Sequence, residues 1–184
     1  MFQPRLIRAT LCAAALCPAY PALSQAVLEE VIVTAQKREQ SLQDVPIAVT
    51  AFSGERLQES GVRDFFEVSN IDPALSVGKS QTSTATSFSI RGVFTSSQNF
   101  GLESSVGLYV DGVYRARQSA MINNLVDVAS VEILRGPQGT LFGRNTPSGA
   151  VSLNSRKPDF EGEGYLEASG GDLDLFSIDG AKSI

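Results

Sequence analysis

Histidine and tryptophan are absent from the 184-residue sequence. Without histidine the chain lacks the commonest general base and the commonest metal ligand. Cysteine is scarce: Cys12 and Cys17 are the only two, both within the first twenty residues. A hydrolase triad, a zinc finger and a disulfide scaffold are therefore not expected. Positive charge is also short, with 15 Lys plus Arg against 20 Asp plus Glu and a net charge of −5. A net acidic chain with no long basic run does not suit nucleic acid, where affinity rests on neutralising phosphates. No long apolar run reaches the roughly 20 residues of a membrane-spanning helix.

What is present is globular. Hydrophobic residues make up 42% and charged residues 19%, and the length suits one domain or two small ones. The first 26 residues have the three parts of a secretory signal. Arg5 and Arg8 form a positive start, Thr10 to Cys17 a short apolar centre, and Pro18 to Ala26 a small-residue end. Cleavage near Ala26 removes both cysteines and two arginines. The remaining 158 residues (184 − 26) can bury roughly 70% of their unfolded surface without staples.

Residues 27–43 hold a β-prone run, Val31-Ile32-Val33-Thr34, between Glu29-Glu30 and Lys37-Arg38-Glu39. Nothing adjacent in sequence covers it, so it reads as an extended, exposed and flexible arm. Asp44 to Phe52 alternates as a strand, with Pro46 at its start where a missing N–H matters least. Ser53 and Asp64 are N-cap candidates for two short helices, the second ended by Asp72-Pro73. Gly78 to Ser87 reads as a polar loop, Phe88 to Val93 as a strand, and Thr95 to Ser105 as a second polar loop. Asp111-Gly112 between apolar runs predicts a tight hairpin. Gln118 to Asp127 is helical or turn-like. Ser130 to Arg135 and Ala150 to Ser155 are strands, with a turn and a short helix around Leu141-Phe142 between them. After Gly164 the alternating runs 165–169 and 173–181 resemble weakly marked transmembrane β-strands. The mixture predicts an α+β fold: a small mixed β-sheet with short helices and long loops.

Two nucleotide-site patterns fail. No Lys follows Gly143, so Gly136, Gly139 and Gly143 do not make a phosphate loop, and the dinucleotide fingerprint is missing. No nucleophile–base pair is visible around Glu103, Asp111 and Asp127. Neither an enzyme nor a bound cofactor or metal is expected.

The ordered set of motifs resembles one family closely. Glu30-Val31-Ile32-Val33-Thr34-Ala35, Asp44-Val45-Pro46-Ile47, Phe88-Ser89-Ile90-Arg91-Gly92, Val110-Asp111-Gly112-Val113-Tyr114 and Val131 to Thr146 follow one another as in the amino-terminal part of a TonB-dependent outer-membrane receptor. The resemblance implies a signal peptide at 1–26, an arm with a TonB box at 27–43, a plug domain at 44–160 and the start of an incomplete β-barrel at 161–184. In that family a globular plug sits inside a barrel of about 22 strands. Such receptors import a siderophore–iron complex, a vitamin or an oligosaccharide across the Gram-negative outer membrane. TonB drives import by pulling on the box, here Glu30, Val31, Ile32, Val33, Thr34 and Ala35. An exposed β-branched segment suits this role, since it can add as a strand to a partner's sheet.

By the same resemblance Arg91 and Arg135 pair with barrel carboxylates and lock the plug in place, and Glu132 could satisfy one arginine within the chain. Ser83, Thr84, Ser97, Asn99, Phe100, Arg115 and Arg117 lie on loops that either face the ligand or are simply solvated. Two terminal strands alone would leave open edges in lipid. The chain therefore reads as a truncated receptor or, as the alternative, a free periplasmic plug-like binding module without transport.

Overall fold

The computed structural model describes residues 31–34, 37–38, 40–79, 85–96, 101–121, 125–158, 164–172 and 176–182. The expected signal segment lies outside these residues. Strands β1 (Ile32–Val33) and β2 (Gln40–Ser41) pair antiparallel. A single 3-10 turn, Leu42–Asp44, leads to β3 (Val49–Ser53), then helices α1 (Gly54–Glu59) and α2 (Phe65–Ile71). Both helices start at the expected caps. Ser53 Oγ accepts from Arg56 N at 3.2 Å, and Asp64 Oδ1 accepts from Glu67 N at 2.9 Å.

Strands β4 (Leu75–Lys79) and β5 (Thr86–Ile90) pair antiparallel as a two-stranded sheet. The loop expected over Gly78 to Ser87 is therefore shorter at both ends. Gly78 pairs with Ser87 and Lys79 with Thr86, and the Ser/Thr-rich sequence hid the alternation that buries Thr86, Phe88 and Ile90. Next come β6 (Val106–Val110), β7 (Val113–Tyr114), a 3-10 turn at Gln118–Met121, β8 (Val128–Arg135), α3 (Gly139–Phe142) and β9 (Gly149–Ser155). Asp111 and Gly112 both take positive φ, 50° and 76°, as the β6–β7 hairpin requires. The last pair is β10 (Gly164–Gly170) with β11 (Phe176–Lys182). Among the described residues no helix is long and apolar enough to cross a membrane.

The central sheet has the order β3-β8-β9-β6-β7, with β6 and β9 parallel and the other neighbours antiparallel. The inner strand β8 carries apolar residues on both faces, which calls for a cover on each side. On the first face Val131, Ile133, Val151, Val106 and Leu108 pack with Leu57 of α1, Phe65 and Val68 of α2, and Phe88 and Ile90 of β5. Phe65 and Phe88 meet edge to face, with centroids 5.7 Å apart.

The second face carries Leu134, Ala150 and Tyr109. Its cover is the amino-terminal segment itself: Val33 is fully buried there, with Val31, Leu42, Val45 and Ile47 packed around it. The expectation of an exposed arm is thus corrected. Helices α1 and α2 cover the first face only, and Val31 and Val33 supply apolar side chains at the i, i+2 spacing that the other face needs. Gly149 lets the strands close up. At φ 146° it places its α-carbon where an added Cβ would fall 2.2 Å from the Leu134 carbonyl oxygen.

Candidate functional site

The arm, the sheet beneath it, two arginines and the final strand pair carry the features that bear on function. Glu132 lies on the second face of β8, opposite Ala51 on one side and Ser152 on the other. These small neighbours leave room above the carboxylate, and the arm fills it. Glu132 is fully buried. Its Oε1 accepts from Thr34 N at 2.7 Å, from Thr34 Oγ1 at 3.0 Å and from Asn154 Nδ2 at 3.1 Å. Asn154 Nδ2 also reaches Ser130 Oγ at 2.9 Å and Thr34 Oγ1 at 3.3 Å. Glu132 Oε2 is buried without a partner. Burial pushes this carboxyl above the ordinary carboxylate value, and the bonds from Thr34 and Asn154 oppose that rise only in part.

Glu132 therefore bonds to the arm and to Asn154, not to an arginine as the sequence suggested. A carboxylate in the middle of a doubly covered strand must find donors inside the fold, and the nearest are those of Thr34 and Asn154. Sequence reasoning missed Asn154 altogether. The signal available was the acid itself, standing alone in the apolar run Val131 to Leu134.

Beside this network, Tyr109, Tyr114 and Phe142 form an aromatic cluster. Tyr109 and Phe142 meet edge to face at 5.0 Å, and Tyr109 and Tyr114 are 5.6 Å apart. The Tyr109 hydroxyl donates to the Phe142 carbonyl, and Asn145 Nδ2 donates to Tyr114 Oη at 2.9 Å. Burial, aided by Tyr114, raises the Tyr109 pKa. Lys37 of the arm stands over Phe142, 5.7 Å from its ring centre.

Of the expected TonB box, Glu30 and Ala35 lie outside the described residues. Val31 and Thr34 are half-buried, Ile32 is exposed and Val33 is buried. Arg91 follows β5 with a positive φ of 54° and an exposed side chain, and its N donates to Ala74 O at 2.8 Å. Arg135 ends β8, half-buried, with N donating to Ala48 O at 2.9 Å and Nε buried without a partner. Ile90 Cδ1 would lie 2.8 Å from a Cβ at Gly149, the residue paired with Arg135. Of the loop residues, Arg115 and Arg117 are exposed, while Ser83, Thr84, Ser97, Asn99 and Phe100 lie outside the described residues. Nearby, Arg144 Nη2 and Glu103 Oε1 form an exposed ion pair at 3.0 Å.

The β10–β11 pair has two unlike faces. Leu166, Ala168, Ile178 and Phe176 share one, and Leu166, Phe176 and Ile178 are highly exposed on it. Tyr165, Glu167, Ser169, Ser177 and Asp179 share the other, where Ser169 and Ser177 hydroxyls are 2.6 Å apart. Among the described residues no group of three or more acidic or cysteine side chains could hold a metal ion.

Residues 41–150 match the sequence model of the TonB-dependent Receptor Plug Domain. The pesticin receptor of Yersinia pestis is 36% identical over 137 residues, covering 74% of this chain and 20% of that protein. The ferrioxamine B receptor of Salmonella typhimurium is 34% identical over 74 residues, 38% of this chain and 10% of that protein. Among solved structures, the ferric yersiniabactin uptake receptor FyuA of Yersinia pestis superposes with a TM-score of 0.64 at 33% identity, covering 72% of this chain and 20% of that one. FpvAI, solved in complex with pyocin S2, shares the fold, with a TM-score of 0.68 at 19% identity over 83% of this chain and 19% of that one. The chain spans about a fifth of the length of the pesticin receptor.

Proposed function

Because this chain belongs to the TonB-dependent receptor plug domain family, we propose that it is the plug of an outer-membrane receptor that imports a siderophore–iron complex under the pull of TonB. The observation that carries the reading is the match over residues 41–150 together with a β-branched segment just ahead of it. The names of the relatives favour iron chelates over a vitamin or a sugar, since they include a ferrioxamine B receptor and a ferric yersiniabactin uptake receptor. In this reading residues 1–26 direct export, 27–43 form the arm, 44–160 the plug, and 161–184 begin the barrel.

The arm offers TonB a strand at residues 30–35, where backbone hydrogen bonds would supply the grip. Arg91 and Arg135 would meet carboxylates on the barrel wall. The unpartnered Nε of Arg135 supports that role, because a guanidinium half-withdrawn from water needs an acceptor. The β10–β11 pair suits a barrel strand pair, with Leu166, Ile178 and Phe176 toward lipid and Asp179 and Ser177 toward the lumen. The same apolar face weighs against a free periplasmic module, which would expose it to water.

The test is a titration of the purified chain with the periplasmic domain of TonB. Binding is expected for the intact chain and lost when residues 30–35 are deleted. Binding that survives the deletion, or no binding by either chain, overturns the reading and leaves the free binding module.

A further inference from the structure

The arm's own bonding opposes its use. Ile32 and Val33 are paired with Ser41 and Gln40, the Val31 carbonyl accepts from Leu42 N at 2.9 Å, and the Thr34 carbonyl accepts from Lys37 N at 2.7 Å. These contacts are local, and all of them could travel with the arm. The bonds that tie residues 31–34 to the body of the fold are different. Thr34 N and Thr34 Oγ1 both donate to Glu132 Oε1, and Asn154 Nδ2 reaches the same hydroxyl.

We propose that Glu132 is the internal anchor of the arm, a positioning residue whose Oε1 holds Thr34 and keeps residues 31–34 seated on the sheet until a partner breaks that grip. The proposal rests on the reading of this arm as the segment TonB draws on. Its physical basis is the position of Glu132. The side chain is fully buried, its Oε2 has no partner, and two of the three donors on Oε1 come from a single arm residue. When the arm leaves, Asn154 alone remains. A buried carboxylate stripped in this way is costly unless water reaches it. Departure of the arm and hydration of the row Ala51, Glu132, Ser152 and Tyr109 on the sheet's second face are then one event. The arm is either seated with this row dry or released with it wet, and Glu132 makes the seated state the resting one.

The test is hydrogen–deuterium exchange of the full chain, read by mass spectrometry on the peptide containing residues 31–34. Glu132→Ala should speed exchange there at least tenfold, and Thr34→Val severalfold, while residues 106–110 keep their rate. Glu132→Gln, which retains an acceptor oxygen, should restore most of the protection. Wild-type exchange at 31–34 in both Glu132→Ala and Thr34→Val overturns the proposal. If Glu132→Ala loosens the whole of β8, Thr34→Val decides, because it leaves the sheet untouched. Exchange reads the anchor, and the TonB titration reads the transport role. A loosened arm in a chain that binds no TonB domain therefore upholds the anchor and counts against transport alone.

Discussion

Asp111 Oδ1 accepts two hydrogen bonds from Ser155, from its N at 2.8 Å and its Oγ at 2.9 Å. Asp111 itself sits in the left-handed region and donates its N–H to Leu153 O at 2.9 Å. The turn of the β6–β7 hairpin is thereby tied to the end of β9, the strand that β6 accompanies in parallel. Asp111→Asn keeps an acceptor and tolerates positive φ, whereas Asp111→Ala loses both. Denaturant unfolding should show a loss of about 1 kcal/mol for the alanine variant and under about 0.5 kcal/mol for the asparagine variant.

Gly149 and Gly112 both have positive φ, but only Gly149 is crowded. An alanine Cβ there would meet Leu134 O at 2.2 Å, while at Gly112 nothing lies within 4 Å. Gly149→Ala should cost about 3 kcal/mol in a urea titration, and Gly112→Ala about 1 kcal/mol. Equal costs would mean that backbone strain alone governs both positions.

The pH dependence of stability should carry the mark of Glu132. Burial holds its folded-state pKa above the ordinary value of 4.5. An acid shifted upward binds its proton more tightly in the fold. Its contribution is therefore full below the unfolded value and is lost as pH rises through the folded value. Compared with Glu132→Gln, the wild-type chain should gain stability as pH falls from neutral toward about 4.5. A difference that stays flat over that range contradicts the shift.

Arg135→Ala, placed in a complete receptor, should loosen the plug and speed its cleavage by an added protease. Arg135→Lys should not restore resistance, since an ammonium cannot replace the fork of a guanidinium. Unchanged resistance in the alanine variant would sink the lock role.

Ile178 and Asp179 are neighbours on opposite faces of β11. In a barrel containing this strand, Ile178→Arg should destabilise by about 2–4 kcal/mol near the bilayer midplane. Asp179→Asn should have little effect. Heat-modifiable gel mobility of the folded barrel measures both.

Much of the plug was legible in the sequence. Ser53 and Asp64 marked their helices because a capping side chain is a local device, and Asp111-Gly112 marked its hairpin for the same reason. The arm was misread because its partner is remote. Nothing in residues 31–34 announces the face formed by Leu134, Ala150 and Tyr109. The hidden clue was β8, whose apolar run implies two covers while α1 and α2 provide one. Strand β4 was missed because Ser76, Gly78 and Lys79 carry no β preference of their own. Pairing with β5 decides their conformation. Glu132 was legible as an anomaly but not as a role, since its donors lie 98 residues before it and 22 after it in the chain.

That separation bears on how the molecule folds. Thr34 is synthesised early, yet the residues that receive it, Glu132 and Asn154, come 98 and 120 positions later. Closing so long a loop costs chain entropy, and long-range closures of this kind slow folding. Until the loop closes, the apolar side chains of Val31 and Val33 lack their cover, and an uncovered β-prone stretch is the kind of segment that aggregates or engages a chaperone.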